Sequence, residues 1–482
     1  MAERVVTVIG GGLAGCEAAW QAARRGCVVR LFEMRPAVRT PAHQTDRLAE
    51  LVCSNSLKSE SLEDASGLLK AEMRALGSLI LTCAETHRVP AGSALAVDRD
   101  RFAAAVTETL SHQPLVQVIR EEMPDLPEAR PAIVATGPLT SDRLSADLTA
   151  RFAAFLGAPG TRPAGLGAAL GAPSPTPDPG TGDPLGAEPP TPQLLYFYDA
   201  ISPIVSADSI DHAAVFAASR YGKGGADYLN CPLTRDEYLK FREAILKGER
   251  YPLHEFEAQN YFEGCLPIEE LAERGEDTLR FGPMRPVGLK DPRTGRRPYA
   301  VVQLRQENRG AGGRPTMYNL VGMQTRLRRG DQLRAFRLIP GLQQAEMLRY
   351  GSVHRNTFIL APLLLRETLQ FCGDPGVFIA GQLTGVEGYL ESAATGLLAG
   401  INAVRLARDE PPCTPPATTM LGALLRYITQ ADPKTFQPIN ANFGLLPPLA
   451  QVVRDRSLRN RLLVERAQSA FHTWQASLSQ DQ

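Results

Sequence analysis

VVTVIGGGLAGCEAAWQAARRGCVVRLFE, residues 5–33, is the stretch of sequence that decides the fold. An apolar, β-branched run at Val5–Ile9 leads directly into a G-x-G-x-x-G turn, and a helical pattern follows up to Gly26. A second apolar run then ends at Glu33. A dinucleotide-binding βαβ unit requires this order of strand, glycine turn, helix, strand and acid within about thirty residues.

Each part of the pattern has a physical role. Gly10 permits the tight turn, Gly12 lets the backbone approach a pyrophosphate, and Gly15 lets the helix pack closely on the strand. The N–H groups and the positive dipole at the helix N-terminus favour phosphates, and Glu33 is placed to accept hydrogen bonds from a ribose. We therefore predict an adenine dinucleotide site that is formed by Gly10, Gly11, Gly12, Leu13, Ala14, Gly15 and Glu33.

Two later segments refine the choice of dinucleotide. Ala132–Gly137 is predicted to be a strand of the kind that closes the nucleotide site in flavoproteins, where Gly137 would allow close backbone approach. The alternative, an ordinary glycine between a strand and a loop, stays open. Residues 377–381 form another buried-type strand that leads into Gln382 and then into a helix rich in small residues. Many flavoproteins hold the isoalloxazine at such a helix N-terminus, where the dipole stabilises negative charge. This late segment favours FAD over NAD.

Length and composition predict about two or three domains in a globular protein of 482 residues. Lys+Arg and Asp+Glu number 52 each, so the overall charge does not indicate nucleic acid, although a local basic face stays open. No segment suggests a membrane span, and a strand starting at Val5 leaves no room for a signal peptide. Eight scattered cysteines without metal-ligand spacing predict reduced thiols, a cytoplasmic protein and no metal site.

The predicted fold is α/β, an FAD-binding Rossmann-type domain with a smaller inserted α+β domain. Half of the 36 positions in residues 157–192 are Gly or Pro, a composition that cannot bury enough apolar surface to become ordered. We therefore predict a first FAD-binding part at residues 1–156 and a flexible insertion at 157–194. An inserted substrate or tRNA domain follows at 195–344, and the chain returns to the FAD-binding domain at 345–482.

Two cysteines lie in polar, loop-like surroundings. Cys53 is followed by Ser-Asn-Ser-Leu-Lys, and Cys231 precedes a predicted capping box at Thr234–Glu237. Cations at Arg235 and Lys223 and the helix N-terminus would stabilise a thiolate near Cys231. The local pattern leaves two alternatives open for each cysteine, a nucleophile or a small buried hydrophobe.

Two arginine-rich stretches, residues 285–297 and 326–337, carry a local excess of positive charge. Such an excess can follow a phosphate backbone, or it can be a solvated face with ion pairs. Both alternatives remain open from the residues alone.

Five segments together resemble one family. VIGGGLAGCEAAW, LVCSNSLKS, YFYDAISPIV, YLNCPLTRDEY and IAGQLTGVEGYLESAATG are similar to the folate- and FAD-dependent tRNA (uracil-5-)-methyltransferases, the TrmFO family. The resemblance covers almost the whole chain apart from residues 157–192, which look like a lineage-specific insertion.

The resemblance implies a reaction in which flavin and thiols act together. Addition of a thiolate to uracil C6 makes C5 nucleophilic, and C5 then attacks a one-carbon unit from 5,10-methylenetetrahydrofolate. Reduced flavin, recharged by NAD(P)H, supplies two electrons, so S-adenosylmethionine is not required. Cys231 matches the proposed nucleophile and Cys53 a second essential thiol. Gly381 and Gln382 match the flavin-ring position, and the basic segments are expected to face the T-arm of tRNA.

Three alternatives differ from this interpretation. A related FAD protein that installs carboxymethylaminomethyl groups on wobble uridine is a longer chain and works with a GTPase, whereas no obligate protein partner is predicted here. A flavin disulfide reductase would need a CxxxxC pair and a second complete fingerprint, which the sequence lacks. A non-catalytic FAD-containing tRNA-binding protein would retain modification after Cys231→Ala.

Overall fold

The computed structural model describes residues 4–40, 42–158, 195–222, 225–251 and 266–480. Residues 159–194, which make up most of the flexible insertion predicted at 157–194, lie outside these ranges, as does the predicted cation Lys223.

The secondary structure is numbered along the chain. The strands are β1 Val5–Ile9, β2 Val28–Phe32, β3 Ser56–Ser59, β4 Arg88–Val89, β5 Ala94–Val97, β6 Val116–Ile119, β7 Ala132–Val134, β8 Leu195–Ile201, β9 Ile204–Ser206, β10 Phe216–Ala217, β11 Tyr228–Leu233, β12 Ala300–Gln306, β13 Met317–Leu320, β14 Met347–Arg349, β15 Ser352–Phe358, β16 Gln370–Phe371 and β17 Asp374–Ile379. The α-helices are α1 Leu13–Arg24, α2 Ala65–Ala75, α3 Leu79–Thr86, α4 Arg99–Ser111, α5 Asp142–Gly157, α6 Arg235–Lys247, α7 Ile268–Glu273, α8 Thr278–Phe281, α9 Arg329–Phe336, α10 Ala361–Leu364, α11 Tyr389–Ala407, α12 Met420–Gln430 and α13 Arg456–Gln480.

The chain forms two compact units. Unit 1 contains residues 1–39, 110–195 and 357–482, and unit 2 contains residues 40–109 and 196–356. The units divide the chain differently from the predicted domains, because residues 40–109 belong with the inserted region rather than with the fingerprint. Within unit 2, Asn55 donates hydrogen bonds both to Val97 O and to Gln306 O, which joins the early segment to the later sheet.

Unit 1 is built on one sheet with the strand order β16-β17-β7-β1-β2-β6. The strands from β17 to β6 are parallel, and β16 is antiparallel to β17. The chain runs from β1 outward to β2 and later returns to β7 on the other side of β1. The strand order therefore reverses between β1 and β7, which is where ligands bind in open α/β sheets.

Helices α1 and α11 pack closely against each other in unit 1. A Cβ at Gly396 would lie 2.1 Å from Ala14 O, and a Cβ at Gly400 would lie 2.6 Å from Ala18 O. Only glycine at these positions lets the two backbones approach so closely. The small-residue pattern of the late helix therefore serves to bring α11 against the fingerprint helix.

Unit 2 is an antiparallel sheet with the order β10-β11-β12-β13-β9-β14, accompanied by a small sheet with the order β3-β5-β4. Strands β8 and β15 pair separately. The run that was predicted as a single strand over residues 196–205 is divided between β8 and β9, because Pro203 has no N–H for a ladder hydrogen bond. A buried cluster beneath the large sheet includes Tyr238, Phe241 and Ile245 from α6.

Candidate active site

The glycine turn of unit 1 has the geometry that the fingerprint predicts. Gly10 has φ +104°, and a Cβ there would lie 2.5 Å from Ala135 O, at the end of β7. A Cβ at Gly15 would lie 1.8 Å from Gly10 O, so α1 could not begin where it does with any other residue at this position. Both glycines are therefore required by close backbone approach.

Gly12 faces open space instead of protein. Within the described residues, no atom counted as a neighbour lies within 4 Å of a Cβ built at Gly12, and no side chain caps α1. The unpaired N–H groups of the first helical turn, with Leu13 and Ala14 at its start, are thus available to an anion. This is the cradle into which a pyrophosphate fits.

Glu33 lies directly after β2 and is 5% exposed. Its Oε2 accepts a hydrogen bond from Gly11 N at 2.9 Å, and its Oε1 accepts bonds from Arg35 N at 3.0 Å and Arg35 Nε at 2.8 Å. Burial by itself would raise the pKa of Glu33, but the hydrogen bonds and the charge of Arg35 outweigh it and lower the pKa. The carboxylate stays ionised, and a carboxylate has about four acceptor positions, which leaves room for a ribose hydroxyl.

The ends of β7 and β17 carry the two other predicted cofactor positions in unit 1. Gly137 follows β7 and has φ +67°, and Gly381 follows β17 and has φ +80°. A Cβ at Gly381 would lie 3.0 Å from Ala14 Cβ, so the late segment lies against the fingerprint turn. Gly381 N donates to Thr395 Oγ1 at 2.8 Å, and Gln382 Nε2 donates to Glu387 Oε2 at 2.7 Å.

The residues of unit 1 fit an adenine dinucleotide that carries a second ring system. An open glycine cradle, an ionised buried carboxylate and a second glycine turn are combined at the switch point of one sheet. Gly10, Gly12, Gly15, Glu33 and Gly381 would hold the FAD pyrophosphate, ribose and flavin regions.

In unit 2, residues 51–55 form a loop, the Cys53 loop, that is held in place by hydrogen bonds to its carbonyl groups. Arg99 donates from Nη1 to Leu51 O at 2.7 Å and from Nη2 to Cys53 O at 2.8 Å, while its Nε contacts Glu307 Oε2 at 2.5 Å. Cys53 itself is partly exposed. Arg99 therefore fixes the backbone on either side of residue 52, and the thiol is left in a half-open position.

A second arginine ties the same loop to the large sheet. Arg305 on β12 donates to Asn55 Oδ1 at 2.8 Å and to Ser54 Oγ at 2.8 Å. Arg305 is opposite Tyr228 on β11, so the two side chains share one face of the sheet. The Cys53 loop consequently lies on that face.

Cys231 lies inside the core of unit 2. It is 0% exposed on β11 and belongs to the cluster that contains Tyr238 and Phe241. Burial raises the pKa of the Cys231 thiol well above its ordinary value. The expectation of a polar, loop-like position is therefore wrong: the capping box of Thr234 and Glu237 is confirmed, but it begins α6 beyond the strand and does not expose the thiol.

Cys231 and the Cys53 loop lie on opposite faces of the large sheet. Side chains alternate along a strand, and Cys231 is three residues from Tyr228, so it faces away from Arg305 and the Cys53 loop. The structure thus places both cysteines in unit 2 without bringing their side chains to one side. The expectation that the remaining cysteines are packed holds for Cys16, Cys27 and Cys83 but not for Cys372 and Cys413, which are partly exposed; Cys265 lies outside the described residues.

The two basic stretches differ in their pairing. In the second, Arg326 contacts Glu270 at 2.7 Å and Arg328 contacts Glu249 at 3.3 Å, and Arg334 pairs with Asp331. In the first, Arg293 contacts Asp291 at 2.8 Å. Within the described residues, the others of that stretch have no ion pair: Arg285, Lys290, Arg296 and Arg297. Much of the second stretch is therefore neutralised, and the first offers the freer positive charge.

Within the described ranges, no helix has both the length and the apolar character of a membrane-spanning segment. No group of three or more His, Cys, Asp or Glu side chains in those ranges could hold a metal ion.

The fold and the cofactor cradle define a flavoprotein-type α/β protein, and comparisons with known proteins make this class specific. The family model described as "Glucose inhibited division protein A" (GIDA) matches residues 5–169 and 176–411. Two crystal forms of Aquifex aeolicus GidA share the fold, with TM-scores of 0.62 and 0.63 and 18% and 17% sequence identity. They cover 99% of this chain, and the matches span 76% and 78% of the GidA chains. The α/β Rossmann-type prediction is thereby confirmed.

Much higher identity comes from relatives named methylenetetrahydrofolate--tRNA-(uracil-5-)-methyltransferase TrmFO. The protein of Moorella thermoacetica is 54% identical over 99% of both chains. Those of Pelotomaculum thermopropionicum and Geobacter sulfurreducens are 52% and 53% identical over 99% and 98% of this chain, and over 100% and 99% of their own. The chain belongs to the TrmFO family, within the GIDA group. The resemblance seen in the sequence is confirmed, and the methyltransferase is favoured over the wobble-uridine alternative.

Sequence patterns alone did not reveal the residues that position the Cys53 loop. Arg99 is 46 residues from Cys53, and Arg305 is about 250 residues from Asn55, so only folding brings them together. The one available signal was the polar character of the loop, because polar groups that become buried need hydrogen-bond partners.

Proposed function

We propose that this protein uses FAD to transfer the one-carbon unit of 5,10-methylenetetrahydrofolate to C5 of a uridine in the T-arm of tRNA. Membership of the TrmFO family, at 54% identity over nearly the full length, is the observation that carries this proposal. NAD(P)H is proposed as the reductant and the cytoplasm as the location, and no obligate protein partner is required.

Unit 1 is proposed to hold the cofactor. The N–H groups at the start of α1 would bind the pyrophosphate, Glu33 would accept from the ribose, and Gly137, Gly381 and Gln382 would lie beside the flavin. Bound FAD, once reduced, supplies the two electrons that convert a transferred methylene into a methyl group. The contribution of the chain is to place and orient the cofactor.

Unit 2 is proposed to supply the thiol chemistry. A thiolate adds to uracil C6, the electron pair moves to C5, and C5 forms a bond to the one-carbon unit. Loss of the C5 proton breaks the bond between the one-carbon unit and its donor nitrogen and leaves an exocyclic methylene on C5. Addition of two electrons and a proton, as hydride, to that methylene gives the methyl group, and the resulting enolate expels the thiolate and restores the ring. We assign the nucleophile to Cys231 and the second thiol to Cys53, and the burial of Cys231 requires that its Sγ become exposed before it reacts.

The activity is tested with tRNA that lacks 5-methyluridine, purified flavin-containing protein, reduced nicotinamide and methylenetetrahydrofolate labelled in its one-carbon unit. We expect the label in 5-methyluridine at the T-arm position. A protein that transfers no label, or transfers methyl groups only from S-adenosylmethionine, would contradict the proposal.

The roles of the thiols are tested with tRNA containing 5-fluorouracil, which traps the enzyme–uracil adduct because fluorine cannot leave C5 as a proton does. The covalent complex should form with wild-type protein and with Cys53→Ala, and it should be lost with Cys231→Ala. The reverse pattern would assign the nucleophile to Cys53, the thiol that is already partly exposed.

A further inference from the structure

Two arginines lie on neighbouring loops of unit 2. Arg220 begins a turn that follows β10, and Arg285 lies in the loop between α8 and β12. Tyr221 N donates to Gly288 O at 3.1 Å, and a Cβ at Gly288 would lie 3.0 Å from the Tyr221 ring. These contacts hold the two loops together and keep the two guanidinium groups near each other.

The charge of this pair is not compensated by the described part of the chain. Arg220 is half-buried, and its Nε is buried without a hydrogen-bond partner there. Burial lowers the pKa of Arg220, and the charge of Arg285 lowers it further, against a smaller opposing effect of Tyr221 and Tyr228; no carboxylate of the described residues is among the groups that act on it. Arg285 is exposed and likewise has no ion pair within the described ranges.

Such an arrangement is unfavourable unless an anion joins it. Two guanidinium groups close together repel each other, and a buried N–H without an acceptor loses its hydrogen bond to water without replacing it. A tetrahedral oxyanion relieves both costs, because it neutralises the charge and offers acceptors to two planar forks.

The pair lies on the face of the large sheet that carries Arg305 and the Cys53 loop. Leu289, in the same loop as Arg285, packs against Val301, and Val301 lies on the same face of β12 as Arg305. Arg305 in turn donates to the Cys53 loop. The uncompensated arginines are therefore on the same side of the sheet as the more exposed of the two proposed catalytic thiols.

An aromatic side chain accompanies the charges. Tyr221 is 60% exposed, and its φ of +60° is a left-handed conformation that is costly for a tyrosine. An exposed ring beside paired arginines suits a nucleotide, whose phosphate and base bind in this way, better than it suits an isolated carboxylate.

We propose that Arg220 and Arg285 bind a phosphate group of the tRNA backbone, with Tyr221 stacking on an adjacent base. This inference rests on the proposed function, since it takes tRNA as the substrate. It assigns the phosphate contact to two particular residues, one of which lies outside both arginine-rich stretches of the sequence.

The test measures tRNA binding by the flavin-containing Arg220→Gln/Arg285→Gln variant over a range of KCl concentrations. The dissociation constant should rise roughly tenfold, as expected for loss of charge-assisted hydrogen bonds. The slope of log affinity against log salt should become shallower by about 0.9 if one duplex phosphate is released. Lys247→Gln is the matched control, because Lys247 is 76% exposed and already paired with Glu243 on α6.

Unchanged affinity and an unchanged salt slope in the double variant would overturn the proposal. An increased KM for pentaglutamyl methylenetetrahydrofolate with normal tRNA affinity would also overturn it, because the anion would then be the folate tail. If the double variant fails to fold, Arg285→Gln alone gives the test, since that side chain is exposed. Failure of the proposed function is distinguished by the wild-type protein, which would then transfer no label to tRNA.

Discussion

The glycine turn of unit 1 and the thiol-bearing strand of unit 2 present their chemistry in different ways. The turn offers the backbone N–H groups at the start of α1 and, among the described residues, open space around a Cβ at Gly12. Strand β11 keeps Cys231 fully buried, where the neutral thiol is favoured. The proposed cofactor site is thus already formed, whereas Cys231, the proposed nucleophile, must become exposed before it can react.

The largest effect is expected from Gly15→Ala, which should disrupt the glycine turn of unit 1. Its Cβ would lie 1.8 Å from Gly10 O, and backbone atoms cannot yield as a flexible side chain can. We expect a loss of more than about 3 kcal/mol in unfolding free energy together with loss of FAD. Urea denaturation of the apoprotein and flavin content measure the two effects.

Gly12→Ala is the matched control for that prediction. Because Gly12 faces open space and has φ −76°, the apoprotein should change by less than about 1 kcal/mol, while FAD binding should weaken. Equal losses of apoprotein stability in the two variants would contradict the difference between these positions, close backbone approach at Gly15 and open space at Gly12.

The next largest effect concerns strand β11 of unit 2 and the rate at which its buried thiol reacts. At pH 8 iodoacetamide should label Cys231 at least about a hundredfold more slowly than Cys53, because Cys231 is buried and its raised pKa keeps it protonated. Raising the pH to 9 should not remove the difference, since a raised thiol pKa delays ionisation to higher pH. Peptide mass spectrometry measures both rates.

Adding tRNA to the same experiment tests whether Cys231 becomes exposed. Faster labelling of Cys231 with tRNA bound is expected from its proposed role as nucleophile. Comparable labelling of the two thiols in the free protein would contradict the burial of Cys231 on β11.

Arg99→Gln should give an intermediate effect. It removes the donors to Leu51 O and Cys53 O and leaves the Glu307 carboxylate, 1% exposed, without its closest cation. We expect about 2 kcal/mol of lost stability and a lower kcat with normal FAD content. Arg101→Gln, which alters a 58% exposed arginine 3.7 Å from Asp98, should change stability by less than about 0.5 kcal/mol. A normal kcat in Arg99→Gln would show that the loop position does not matter.

The same contrast explains what the sequence could predict. The fingerprint is local, so Val5–Ile9, the turn and Glu33 occur in the structure where the pattern placed them. The environment of Cys231 is decided by the pairing of β11 with β12, which lies about 70 residues further along the chain, and by the packing of α6 into the same core. The grouping of residues 40–109 with unit 2 depends on a still longer separation, since Asn55 donates to Gln306 O, 251 residues away.

The smallest predicted effect belongs to Glu33→Gln, which tests how much the preformed site depends on one charge. Gln would present an amide NH₂ toward the N–H groups of Gly11 or Arg35, so we expect FAD binding to weaken roughly tenfold. The pKa of Glu33 is lowered in the folded protein, so its stabilising contribution is complete above the ordinary pKa of Glu and is lost as pH falls through the lower folded value. The stability difference between wild type and Glu33→Gln should therefore be present at pH 7 and diminish below about pH 4. Glu243→Gln, at an exposed ion pair on α6, is the control and should leave FAD binding unchanged. A stability difference that persists undiminished at the lowest pH would mean that Glu33 acts through packing and not through its charge.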